Sequence, residues 1–181
     1  MKRRKIILII CAFLLVTAAV GGTLALLTDI SETVENNFTI GDVEIAIEDG
    51  AEDKLPLLPG GTHEKDTRIV VKAGSEDAWL FVSITEANGL RSYVDYRIAD
   101  GWEPLAGNPG VYYRSVSKSD TDTAFPVILD GKITVSTTVT KEMLEAIGKN
   151  PILTFHAYAI QKQGLDTADE GWTEILEETG R

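Results

Sequence analysis

Two hydropathy regimes divide the chain. Residues 6–27, from Ile6 to Leu27, are predominantly apolar and follow the basic cluster Lys2-Arg3-Arg4-Lys5. From Phe38 onward the dominant period is two. In Phe38–Glu48 the residues Val43, Ile45 and Ile47 alternate with Asp42, Glu44 and Glu48, which predicts a half-buried strand with one wet face. Further strands are predicted over 67–72, 78–86, 92–98, 111–117, 132–140 and 152–161. Trp79-Leu80-Phe81-Val82-Ser83-Ile84-Thr85 reads as the central one. Seven or so short strands, without long helices between them, predict an all-β sandwich.

The turns carry their own chemistry. In Leu58-Pro59-Gly60-Gly61 the proline fixes φ and a glycine supplies positive φ. Asn88-Gly89 and Asp130-Gly131 are hairpin-grade dipeptides, and Asn108-Pro109-Gly110 closes a longer loop from Ala99. Two short helices are expected. One runs over 140–148 with Thr140 as cap. The other covers 167–178, with Trp172, Ile175 and Leu176 on one side. No internal repeat or composed linker divides the chain, so residues 26–181 are expected to form a single domain.

The first regime reads as an export signal. Basic residues stay on the cytoplasmic side and the apolar run enters the bilayer. Its length suffices to span a membrane, for which roughly 20 residues are needed, so retention as an anchor is one fate. Thr17, Gly21, Gly22 and Thr23 weaken its second half, however. Thr23-Leu24-Ala25 also places small residues as a signal peptidase requires. Cleavage between Ala25 and Leu26 is the preferred reading, making residues 1–25 a signal peptide. Cys11 is the only cysteine, and bulky Ile10 before it disfavours a lipid-modified site. The mature chain would then lack cysteine and be indifferent to redox state.

Removing residues 1–25 takes away four of the 17 basic groups and none of the 28 acids. The remaining net charge of −15 argues against nucleic acid and against adsorption to anionic headgroups. Membrane contact is expected only through an uncleaved signal segment. Catalytic patterns are sparse. His63 and His156 stand far apart, and no H-E-x-x-H, G-x-S-x-G or phosphate-cradling loop occurs. His156, in an apolar strand, is read as packed and hydrogen-bonded, and His63, in a turn, as solvated. The acidic runs Glu48-Asp49-Ala51-Glu52-Asp53 and Asp166–Glu170 lack the spacing of a calcium loop and read as solvated charge. No cofactor or catalytic residue is expected. The aromatic residues Trp79, Trp102, Tyr112, Tyr113 and Trp172 read as core, with a carbohydrate groove as the alternative.

Gly21-Gly22-Thr23-Leu24-Ala25-Leu26-Leu27-Thr28-Asp29, followed by Asn37-Phe38-Thr39-Ile40-Gly41-Asp42-Val43-Glu44-Ile45, resembles the exported TasA/camelysin family. Leu57-Leu58-Pro59-Gly60 is similar to that family's L-x-P-G turn. Phe155–Gln161 with Gly164-Leu165 and Gly171-Trp172 is weakly similar to its closing region. The resemblance covers both ends and one central turn. It implies processing by a SipW-type signal peptidase, a jelly-roll-like antiparallel β-sandwich, and secretion from single-membrane bacteria. For the best-known members it implies homopolymeric biofilm-matrix fibres. Camelysin-like members are classed as surface metallopeptidases, for which this chain has no recognisable zinc motif.

Three functional expectations follow. The first is a structural matrix subunit whose arm, residues 26–37 with Leu26, Leu27, Ile30 and Val34 leading into Phe38, pairs with the sheet edge of a neighbour. Such head-to-tail addition does not close and grows a filament. The second is a metallopeptidase using His63 and His156 with Glu64 or Asp66. The third is a monomeric surface module that binds through Trp102 and its loop, residues 100–113.

Overall fold

The computed structural model describes residues 29–31, 35–50, 54–56, 58–140, 142–143 and 153–180. Its centre is a five-stranded sheet in the order β2 (Glu35–Ile40), β13 (Leu153–Gln161), β7 (Ala78–Glu86), β10 (Val111–Val116), β9 (Glu103–Pro104). Against it stand two three-stranded sheets. One is β11 (Thr123–Pro126), β6 (Thr67–Val71), β3 (Ile45–Asp49). The other is β5 (Thr62–Glu64), β12 (Lys132–Val135), β8 (Val94–Asp95). A short pair joins β1 (Asp29–Ser31) to β4 (Lys54–Pro56). The fold is thus an all-β sandwich with one long helix, α1 (Ala168–Thr179).

The inner core lies between the sheets. Ile45, Ile47, Ile69 and Val71 from one side and Ile133 and Val135 from the other meet Leu80, Val82, Phe155 and Ala157 of the central strands. A second cluster lies on the opposite face of the five-stranded sheet, where Trp172 and Ile175 of α1 cover Phe81, Tyr158 and Ile160. The central sheet is therefore buried on both faces. This is why β7 and β13 are nearly continuous apolar runs, whereas β12 alternates cleanly between exposed and buried positions.

α1 follows the expected segment closely. Thr167 caps it by accepting from the Glu170 N–H, and the Glu170 carboxylate reaches back to the Thr167 N–H at 3.0 Å. Gly180 ends it in the left-handed region. Gly171 lets the helix approach closely, since a Cβ there would stand 3.1 Å from Ile160 Cγ2. The helix expected over 140–148 lies largely outside the described residues, although Thr140 Oγ1 accepts from the Met143 N–H at 3.3 Å, as its cap should.

Several local expectations are corrected. The strand expected over 38–48 breaks at Gly41, whose φ of +83° turns the chain from the five-stranded sheet into the facing one. Asn88-Gly89 makes no hairpin. It sits in a 3₁₀ turn, Ala87–Ser92, that carries the chain from β7 across to β8 in another sheet. Asp130-Gly131 has positive φ at both residues, the geometry of a type I′ turn, yet it too connects strands of different sheets. Leu58–Gly61 is the tight turn expected, closed by Gly61 N–H donating to Leu58 O at 2.8 Å. Where the strand over 92–98 was expected, the pairing shrinks to Val94–Asp95 and a bridge between Ile98 and Ile128.

Candidate assembly edge

The strand that follows the predicted arm lies at the rim of the central sheet. β2 pairs with β13 in parallel, Glu35 opposite Phe155 through Ile40 opposite Ile160. Every other strand pairing among the described residues is antiparallel. β13 is held on its other side by β7 along its whole length, Leu153 opposite Glu86 through Gln161 opposite Ala78. Within the described residues β2 thus has one ladder and one free edge.

Its described side chains are only partly covered. Phe38 and Ile40 are half-buried and pack against the outer cluster under α1. Asn37 and Thr39 are exposed, and Asn37 Nδ2 donates to Ile45 O at 3.4 Å. The strand beneath is better buried, with Phe155, Ala157 and Ala159 inaccessible. If β2 left its place, the edge of β13 would expose a full row of unpaired N–H and C=O groups, a ready template for another strand.

The predicted assembly residues fall unevenly on this geometry. Ala25, Leu26, Leu27 and Val34 lie outside the described residues. Ile30 belongs to β1, with its Cα partnered by Leu55 of β4. Phe38 sits in β2 opposite Tyr158. The described parts of the expected free arm are thus paired within their own chain, because an edge backbone left open leaves N–H and C=O groups unmet.

The histidines stand apart. His156 lies beside Tyr158, ring centroids 6.5 Å apart, half-buried on the helix-covered side of β13. His63, expected to be solvated, lies in β5 opposite the fully buried Ile133, and its Nε2 is sealed from solvent without a hydrogen-bond partner. β5 is three residues long and carries no periodic signal, so the sequence offers no sign that this nitrogen is enclosed. Asp66 is engaged by Arg68, Nε to Oδ1 at 2.9 Å. Among the described residues no group of three or more His, Cys, Asp or Glu side chains converges as a metal site.

Trp102 is a core residue. It is 7% exposed, and its Nε1 donates to Pro126 O at 2.8 Å. The Arg114 guanidinium lies 5.4 Å from its ring centroid and 4.0 Å from that of Phe125. Burial lowers the Arg114 pKa from its ordinary value. Trp172 likewise turns inward, tilted against Phe81 at 5.2 Å and edge-on to Tyr158 at 5.2 Å. The loop that leads away from Trp102 instead borders a cleft of about 670 Å³, whose lining includes Arg97, Pro109 and Tyr112 and the Glu86, Arg91 and Tyr96 group. Tyr96 donates its hydroxyl proton to Glu86, and Arg91 covers the Tyr96 ring at 4.4 Å.

The acidic runs have structural tasks. Asp49 ends β3 in an ion pair with Lys65, and Glu170 completes the cap of α1. Both roles depend on partners distant in space or on a helix start, which charge counting does not reveal. Among the described residues no helix is long and apolar enough to cross a membrane. Comparisons with protein-family models, with curated proteins and with solved structures find no match for this chain.

Proposed function

We propose that the chain is an exported structural subunit of extracellular matrix fibres that assembles by giving its N-terminal arm and first strand to a neighbouring copy. The observation that carries this reading is the parallel edge strand β2. It follows the arm directly, is held by one ladder, and covers the rim of a well-buried strand. Within one chain β2 closes that rim. Between chains the same ladder would form with the next copy's β2, main-chain bonds giving affinity and the half-buried Phe38 and Ile40 giving register. Each subunit would then offer one strand and accept one, a heterologous contact that propagates. Removal of the signal segment after Ala25 would release the arm for exchange.

The test is electron microscopy and light scattering on protein beginning at Leu26, compared with the same protein lacking residues 26–34. Fibres from the first and none from the second are expected. Fibres from both would discard the arm, and fibres from neither would discard the matrix reading. A second reading, a monomeric surface-binding module, draws on the cleft beside Arg97 and Tyr112. It predicts a persistent sharp monomer on gel filtration.

A further inference from the structure

Among the described residues Lys65 is the one buried lysine. It is 7% exposed, and its side chain is in direct contact with the carboxylate of Asp49. The two side chains are 9% and 12% exposed. Other lysine ion pairs here, Lys72 with Asp122 and Lys118 with Glu76, lie open to solvent. Burying an ion pair is expensive, because the lost hydration is repaid only in part by mutual attraction. A neutral product formed from the same two groups escapes that cost.

We propose that Lys65 and Asp49 are a modification site, condensing within the folded chain to an isopeptide cross-link between the end of β3 and the residues leading into β6. The backbone around both is fixed. Asp49 stands opposite Thr67 in the β3–β6 ladder, Gly50 N–H donates to Asp66 O at 3.3 Å, and Lys65 N–H donates to Gly131 O at 2.6 Å. Reactants held in this way meet at a very high effective concentration. Thr67 is 1% exposed, and its hydroxyl donates to Asp49 Oδ1 at 3.5 Å.

The step balances without an oxidant or co-reactant. One ammonium proton passes to Asp49 Oδ2 within the pair, leaving a neutral amine and a neutral acid. The Lys65 Nζ lone pair attacks Asp49 Cγ, and the negative charge that develops on Oδ1 is met by the Thr67 hydroxyl. Collapse expels Oδ2 with the transferred proton and a second proton from Nζ, as one water. An amide bearing a single N–H remains. The covalent loop so closed spans residues 49–65 and includes β4, the strand that pairs with β1. It would staple a chain whose only cysteine is at position 11.

The test is the intact mass of the purified, folded protein, followed by a tryptic digest of the denatured chain. The expected mass is one water below that of the sequence. The digest should give a branched peptide, uncleaved after Lys65, joined to the peptide that ends at Lys54 and carries Asp49. Lys65→Arg keeps the ion pair but cannot form this amide, and it should show the full mass. Thr67→Val should retain both groups and accumulate the cross-linked form more slowly. Folded wild-type protein with the full mass and normal cleavage after Lys65, after prolonged incubation at neutral pH, would overturn the proposal even if neither variant folds.

Discussion

Gly41 and Gln161 touch where the first strand of the central sheet turns away and the last one ends. A Cβ on residue 41 would stand 2.8 Å from the Cβ of Gln161 and 2.8 Å from its Oε1. The φ of +83° at Gly41 adds a conformational demand that other residues meet at a cost of about 1–2 kcal/mol. Gly41→Ala is therefore expected to destabilise the fold by roughly 2 kcal/mol, backbone and overlap costs together. A urea titration followed by tryptophan fluorescence measures this. An unchanged midpoint would mean that the β2–β3 corner can relax freely.

Tyr96 sets an alkaline limit on stability. Burial, then the hydrogen bond to Glu86, holds its phenol above the ordinary tyrosine range. The unfolded phenol titrates near about pH 10. Its contribution is therefore complete below that pH and declines as pH rises beyond it, since the unfolded chain then loses the proton first. The urea midpoint of wild type should fall more steeply above about pH 10 than that of Tyr96→Phe. Parallel curves would remove Tyr96 from the account.

The α1 cap behaves as a coupled pair. Thr167→Ala should cost about 1 kcal/mol, the usual worth of an N-cap side chain. Glu170 is held below the ordinary glutamate range, first by the Thr167 backbone N–H. Its contribution is present above the unfolded glutamate pKa, near about 4.3, and is lost as pH falls through that value and below. In a double-mutant cycle, Thr167→Ala and Glu170→Gln should be non-additive, because each removes half of one reciprocal arrangement. Strict additivity would show that the two bonds act separately.

Trp102→Ala distinguishes a ligand contact from a structural one. The ring is enclosed, its N–H is spoken for, and Arg114 rests against it. A loss of about 3–5 kcal/mol is expected, as for large aromatic truncations in cores. Thermal unfolding by circular dichroism reads this directly. A fully stable variant would return Trp102 to the surface.

The parts of this fold that were legible in the sequence share one property: their signal is local. β7 and β13 are long apolar runs, and α1 carries a cap, an apolar stripe and a terminal glycine. The residues that organise the sandwich were harder to read. At Gly41 the apolar positions slip from even (Phe38, Ile40) to odd (Val43, Ile45, Ile47), and a single strand drawn across that slip became two strands in different sheets. β5, β9 and β11 are too short to develop a period, and β11 includes Pro126. Asn88-Gly89 and Asp130-Gly131 read as hairpin dipeptides, yet neither joins neighbouring strands of one sheet, because a turn residue does not say which sheet the next strand joins. The pairing of Asp49 with Lys65 was invisible for a related reason, since composition groups Asp49 with its acidic neighbours in sequence.

The parallel placement of β2 has a kinetic consequence. Glu35 must find Phe155 across most of the chain, so this ladder closes a very large loop, and non-local pairing of that kind is slow. The β13–β7–β10 strands can zip together through antiparallel neighbours before β2 arrives. During that interval the β13 rim is bare, and under the proposed assembly the first strand of another copy would compete for it on equal chemical terms. Protein concentration would then decide which partner arrives first.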